Sequence, residues 1–465
     1  MNGLPEGALE GVKILDLTWV LSGPYASMVL CDLGAEVIKV ERPPYGDVAR
    51  TTGPFLRNEL QATGSKLQGE GAELQAASAG LQASSYKLQG EGSGQQASGN
   101  KQQGVGGAVE SSYFFSINRG KKSTLLDLRK AEGRELFLRL VEKVDVVMEN
   151  FTPGTMDRLG LGYEALAARN PRVIYSATSG FGQTGPDRDK PALDVVVQGM
   201  GGVMSITGEE GGGPVRPGLS LGDIAAGLFT AIGILAALQE RERSGRGQMI
   251  DISMLDCQVA ILENAFARYS ATGEPPRAIG TRHPLSTPFQ AFPTADGHIV
   301  IALGFGLENI WGLFCATIDR PELIDDPRFQ TPGERTRNHA VLEPMLNEAM
   351  RSQPTSYWVR EFEAIQLPCG PLNSIPEVAA YPQVVAREML REVASARGNR
   401  LTIANSPLRL SRTPGVIRGG PPAPGQDTRA VLGEVLGMDE GEIEAAFEVG
   451  AAVEARELPG EITGA

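Results

Sequence analysis

The chain predicts a doubly wound α/β protein. Apolar strand-like runs alternate with helical ones over its first 250 residues, and glycine or proline punctuates their ends. Residues 12–17 read as a strand, 24–33 as a helix, and 36–41 as a second strand. Pro24 suits a helix's first turn, where its missing N–H costs nothing, and Gly34 closes the helix. Helix 131–143, strand 144–148, short helix 163–169 and strand 173–177 continue the alternation. An apolar helix over 224–240 stops at Gly245 and Gly247. Runs 288–292 and 297–303 then read as antiparallel strands around the turn Ala295-Asp296-Gly297. Residues 321–391 read as helical segments punctuated by proline, and one late helix is expected near 428–436. The expected division is a large α/β domain over 1–250, a linker and smaller α+β domain over 251–390, and a C-terminal segment over 391–465.

Residues 59–107 break the alternation with a seven-residue repeat, in which Leu-Gln or Gln-Gln recurs from position 60 to 102. A coiled coil needs a second apolar position per heptad, and here that position holds Thr63, Glu70, Ala77, Ser84, Glu91, Ser98 and Val105. With 11 glycines in 49 residues the segment is also a poor helix former, so it reads as a low-complexity insertion.

A net charge of −13 argues against nucleic acid or an anionic membrane as partner, so any anionic substrate must meet a local basic patch. Cys31, Cys257, Cys315 and Cys369 form no CxxC pair, which suits reduced thiols rather than a zinc site or disulfide framework. The N-terminus lacks signal-peptide regions, and the longest apolar run, 224–238, falls short of the ~20 residues of a membrane span. A cytoplasmic protein without a metal or a permanently bound cofactor is expected. Gly180 to Gly185 matches GxGxxG after a strand, but residues 186–191 contain two prolines and cannot open the helix that a dinucleotide needs. A flexible loop closing over a site is the preferred reading.

Two lone acids stand in small and apolar surroundings: Asp194, before Val195-Val196-Val197, and Asp223, after Gly222. Burying a carboxylate without a partner is costly, and such surroundings raise its pKa or desolvate it into a better nucleophile. On spacing alone, Asp223 reads first as the N-cap of the helix that follows it.

Taken in order, these pieces resemble the class III CoA-transferases, the family of formyl-CoA transferase, carnitine CoA-transferases and α-methylacyl-CoA racemases. The resemblance is carried by residues 12–17 with Ser22-Gly23-Pro24, 33–41, Glu149-Asn150-Phe151, Asp157 to Gly160, 170–175, Gly222-Asp223 and Gly245 to Gln248. It implies a Rossmann-like large domain completed by both chain ends, a smaller domain, and an interlocked homodimer. It also implies that Asp223 is the nucleophile and that Asp194, 29 places earlier, assists it. Val20, Asn150, Phe151 and Leu159 would contact CoA, and Arg42, Arg129 and Arg158 would line its nucleotide site, with Arg119, Lys121 and Lys122 adding positive charge. CoA enters as a thioester substrate and the partner is a small carboxylic acid. Backbone amides near the glycine-rich loop would stabilise oxyanions.

A racemase needs a base on each face of the α-carbon. Leu193 fills the position where that branch carries histidine, and leucine bears no proton. The chain's histidines are His283, His298 and His339; His298 reads as an ordinary strand residue, His339 as a helix-surface residue, and His283 as a candidate to face the site. Leu21 replaces a glutamine of formyl-CoA transferase, and that enzyme's tetraglycine loop is missing, which argues against formate and oxalate. Residues 281–289 resemble members that use succinyl-CoA with a dicarboxylate such as malate or citramalate, and Arg282 would hold the remote carboxylate. Glutarate, and an intramolecular transfer within mesaconyl-CoA, stay open. A non-catalytic CoA-binding scaffold that recruits partners through the repeat is opposed by the intact Gly222-Asp223 pair.

Overall fold

Six parallel strands, β1 (Lys13–Asp16), β2 (Glu36–Glu41), β3 (Lys122–Leu126), β4 (Val146–Glu149), β5 (Ile174–Ser179) and β6 (Met249–Ser253), lie in the order β3-β2-β1-β4-β5-β6. The C-terminal strand Ala452–Val453 adds antiparallel to β3. The structure, a computed structural model, describes residues 5–56, 110–304 and 309–454; the repeat expected over 59–107 lies outside the described residues. The chain divides into two units, Met1–Gly201 with Leu219–Ile261 and Arg387–Ala465, and Gly202–Gly218 with Leu262–Ala386. Residues 202–218 thus belong with the second unit rather than with the large domain where the sequence placed them.

Both faces of the main sheet are covered, as parallel strands require. Leu15, Ile38 and Val147 pack on one face with Phe137 and Leu140 of α3 (Ala131–Val141) and with Leu432 and Phe447 from the C-terminal segment. Ile14, Val37 and Val146 face the other way, against Leu30 of α1 (Ser22–Asp32) and Ile234 of α7 (Leu221–Ser244). Between α1 and α7 in sequence also come α2 (Ser112–Ile117), α4 (Thr155–Arg158), α5 (Tyr163–Arg169) and α6 (Asp194–Met200). Fully burying a Leu or Ile side chain stabilises by about 1.5–3 kcal/mol, so these two layers dominate the unit's stability.

Helix α7 is longer than expected, at 24 residues, and is long and apolar enough to cross a membrane by length and composition. Half of its most apolar window is buried within the fold, as in a core helix. Gly227 allows close approach to α1, because a Cβ there would lie 2.7 Å from the Ser22 carbonyl oxygen. Several other elements were not anticipated, among them β3, β6, α2, the hairpin of Leu390–Ala394 with Arg400–Ala404, the short strand Cys369–Pro371, and helix Glu440–Glu448. The tail therefore carries more than one late helix.

In the second unit, β7 (Phe289–Pro293) pairs antiparallel with β8 (His298–Ala302), as the turn at residues 295–297 predicts. Strand β9 (Cys369–Pro371) joins β8 on its other side. Phe292, Ile299 and Ile301 form a core there with Phe314, Leu342, Trp358 and Phe362.

Candidate active site

In an open parallel sheet, ligands bind beyond the carboxyl ends of the strands where the strand order reverses. Here that point lies between β1 and β4. Asn150, just after β4, uses its whole amide to tie the two strand ends together. Its Oδ1 accepts from the Trp19 N–H at 2.9 Å, and its Nδ2 donates to the Trp19 carbonyl at 2.8 Å. The Phe151 ring meets the Trp19 ring edge-on at 6.1 Å. Val20 follows Trp19 beyond β1, Asn150 and Phe151 follow β4, and Leu159 follows α4 on the same chain segment.

Arg42 directly follows β2, Arg129 lies three residues beyond β3, and Arg158 ends α4, so topology puts all three at the sheet's carboxyl edge. All three are exposed. Arg129 rests on Asp127, with Nε at 2.8 Å and a terminal nitrogen at 2.6 Å, while Arg158 donates to Thr155 Oγ1 at 2.9 Å. Arg119 and Lys121 do not join this patch. Arg119 is buried against Asp32 at 2.6 Å, and Lys121 is fully buried against Asp16 at 3.0 Å. Burial lowers the Lys121 pKa to about 8, against the pull of Asp16. Lys122 pairs with Glu36 at 2.7 Å. A cavity of about 180 Å³ at the same edge is lined by Glu149, Asp157 and Glu164, a set that repels phosphate.

The two lone acids meet through one peptide group. Asp194 is the first residue of α6 and is buried. Its Oδ1 accepts from the Gly222 N–H at 2.9 Å and its Oδ2 from Gln198 Nε2 at 2.7 Å. Gln198 also donates to the Leu219 carbonyl at 3.2 Å, so both residues brace the entry to α7. A helix start leaves orphan N–H donors, and Asp194 satisfies one from another helix. Asp223 is the third residue of α7, half-buried; the N-cap position is Ser220, not Asp223 as spacing alone suggested. The helix N-terminus places partial positive charge beside its carboxylate.

Tyr113 on α2 was not singled out from the sequence. Its phenol is held well above its ordinary pKa by burial, and next by the negative charges of Asp223, Asp47 and Asp194. It therefore stays a neutral donor in a region of acids. The glycine loop after β5 opens no helix before Asp194; Gly182 and Gly185 adopt φ of +85° and +89°, and Gln183 N–H rests on Asp251 at 3.0 Å.

All three histidines lie in the second unit. His298 is an exposed strand residue, and His283 stacks on Phe289 at 4.8 Å. His339 is not on a helix surface: it is buried, with Nδ1 facing Arg282 at 3.0 Å and Nε2 facing Gln290 Oε1 at 2.7 Å. Arginine only donates, so His339 accepts at Nδ1 and carries its proton on Nε2. Burial lowers its pKa, consistent with that neutral form. Arg282 already holds an internal carboxylate, Glu210, and donates to the Ile279 carbonyl. Among the described residues no His, Cys, Asp and Glu side chains are grouped to hold a metal ion.

A Rossmann-ordered sheet whose crevice opens at the β1–β4 switch point is the framework of a protein that binds a nucleotide-bearing ligand. The chain belongs to CoA-transferase family III, whose profile matches residues 9–72 and 91–428, and it is a CoA-transferase. The interruption, 73–90, falls inside the repeat and is narrower than the insertion expected. It is 39% identical over 83% of its length to the acetyl-CoA:oxalate CoA-transferase of Acetobacter aceti, covering 86% of that protein. It is 36% identical over 94% of its length to the succinyl-CoA:glutarate CoA-transferase of Mus musculus, covering 88% of it. A CAIB/BAIF family protein from Brucella suis has a similar crystal structure, with TM-score 0.74 and 34% identity over 92% of this chain and 100% of that one.

Proposed function

We propose that the chain moves CoA from an acyl-CoA, best succinyl-CoA, to a dicarboxylic acid through covalent intermediates on Asp223. The Asp223 carboxylate attacks the thioester carbonyl and expels CoA thiolate, leaving a mixed anhydride. The thiolate then attacks the aspartyl carbonyl, releases the donor acid and forms an aspartyl-CoA thioester. The acceptor carboxylate attacks that thioester and expels the thiolate. The thiolate finally attacks the acceptor's carbonyl, giving the new acyl-CoA and restoring Asp223. One thioester replaces another, so the exchange needs no ATP or metal.

The observation that carries this reading is the Asp194–Gly222 hydrogen bond, which fixes the first turn of α7 and with it Asp223. Asp194 assists by position, and Arg42, Arg129 and Arg158 are assigned to the CoA phosphates. The mouse relative's glutarate supports a dicarboxylate acceptor, with Arg282 taking the remote carboxylate; malate and citramalate fit the same chemistry. The Acetobacter relative keeps oxalate among the candidates despite Leu21. Leu193, 53% exposed, offers no proton for racemisation. Exposed apolar residues along α7 and beyond β9, Leu228, Ile232, Leu372, Ile375 and Val385 among them, support burial in a homodimer whose chains interlock.

The test is to mix the protein with succinyl-CoA, quench with acid, and search peptides containing residue 223 by mass spectrometry. A CoA adduct on Asp223, transferred to glutarate, malate, citramalate or oxalate in a parallel panel, is expected. An Asp223→Ala chain that turns over normally overturns the reading. Sedimentation at nanomolar concentration should show a dimer, and a monomer overturns the interlocked assembly.

A further inference from the structure

Val20 stands between β1 and α1 with φ of +64°. Among the described non-glycine residues with positive φ, namely Val20, Glu263, Asn309, Asp319, Gln366 and Glu388, it alone is β-branched. A β-branched residue in the left-handed region is strained and persists only where its surroundings impose that conformation. Those surroundings are explicit here. The Val20 N–H donates to Asp47 Oδ1 at 3.2 Å, which also accepts from Ala49 N–H at 2.9 Å. Asp47 Oδ2 lies 2.9 Å from Lys39 Nζ, and both side chains are 1% exposed. Lys39 in turn donates to the Thr18 carbonyl at 2.6 Å, and Asp16 accepts from the Thr18 N–H at 2.9 Å. With Asn150 on Trp19, side chains from three other segments and from β1 itself hold three successive residues, 18 to 20.

Glycine would make this turn without strain, so a valine kept there, partly exposed at the crevice, is informative. We propose that Asp47, locked by the buried Lys39, is a positioning residue that holds Val20 left-handed so that its isopropyl group packs against bound CoA. The inference rests on the reading that CoA occupies this crevice. The pair sets the turn, and the turn sets the apolar wall that CoA meets. Asp47 acts through Val20 rather than on the reacting atoms.

The experiment measures CoA affinity by calorimetry, kcat and KM for succinyl-CoA, and Tm, for Val20→Gly, Asp47→Asn and the double variant. Val20→Gly should keep or raise Tm and weaken CoA binding by about tenfold or more, the scale of losing apolar carbons from a pocket, with KM for succinyl-CoA rising by more than kcat falls. Asp47→Asn should weaken CoA similarly, because its amide nitrogen would face the Lys39 ammonium and release the lock that holds the acceptor in place. The double variant should bind no worse than Val20→Gly alone, because glycine needs no holding. Wild-type affinity in Val20→Gly, or single effects that multiply in the double variant, would overturn the proposal. If Asp47→Asn fails to fold, Val20→Gly still decides. Wild-type protein that binds no CoA overturns the crevice reading instead, so the two failures are distinct.

Discussion

The Asp194 carboxylate accepts the Gly222 N–H at 2.9 Å, so an acid at the start of one helix caps the first turn of another, one residue before Asp223. Removing that acceptor frees the turn, and a displacement of about 1 Å at a reacting group costs up to about a hundredfold in rate. Asp194→Ala should therefore lower kcat by roughly tenfold to a hundredfold with KM for the thioester little changed. Asp194→Asn should fall less, since its amide oxygen still accepts from Gly222. A raised KM at unchanged kcat would show that Asp194 binds substrate instead.

Much of this geometry was open to sequence reading where local pattern decides it. Glu36–Glu41 and Tyr163–Arg169 fall where read, because apolar spacing and flanking glycines are local signals. Strand β6 was missed because it is an edge strand with Met249 and Asp251 exposed, which blurs the apolar run. Helix Glu440–Glu448 carried a readable signal, the Asp439–Glu442 capping box, that its small, acidic residues disguised. The two aspartates announced themselves by being alone among apolar neighbours. Tyr113, Asp47 and Gln198 did not, since each matters through partners that only folding supplies.

Arg119 and Lys121 show the reverse error. They read as basic patch, yet their acids lie 87 and 105 residues away in sequence. Breaking a buried pair strands a charge and costs about 3–5 kcal/mol. Lys121→Met should destabilise the protein by that amount in urea melts, while the folded variant binds CoA with wild-type affinity. Full stability with weakened CoA binding would return Lys121 to the phosphate site.

Glu149 predicts a pH dependence. Its carboxyl accepts from Phe151 N–H at 2.6 Å and Tyr175 hydroxyl at 3.1 Å, yet burial dominates and lifts its pKa to about 7 from 4.5. The native state then binds the proton more tightly than the unfolded chain. Its stabilising contribution is complete below about pH 4.5 and is lost as pH rises through 7. The full change is on the order of 3 kcal/mol. Glu149→Gln should flatten the stability profile between pH 5 and 7 and raise Tm at pH 8. Parallel profiles for the two proteins would refute this assignment.

The Arg282–Glu210 pair bears on the choice of acceptor. The guanidinium is largely enclosed and fixed by His339 and the Ile279 carbonyl, while the Glu210 side chain is 71% exposed. Such a pair adds only about 0–1 kcal/mol to stability, so Glu210 is easily displaced. Under the proposed assignment of Arg282 to a dicarboxylate's remote carboxylate, that carboxylate would compete with Glu210 for the guanidinium. Glu210→Gln should therefore leave Tm within a degree or two, as for a surface pair. It should also lower KM for glutarate or malate while a monocarboxylate such as acetate is unaffected. Arg282→Lys keeps the charge but loses the planar fork, and should raise KM for dicarboxylates selectively. Equal changes for both acceptor classes would place Arg282 in the architecture of the second unit rather than in recognition of the acid.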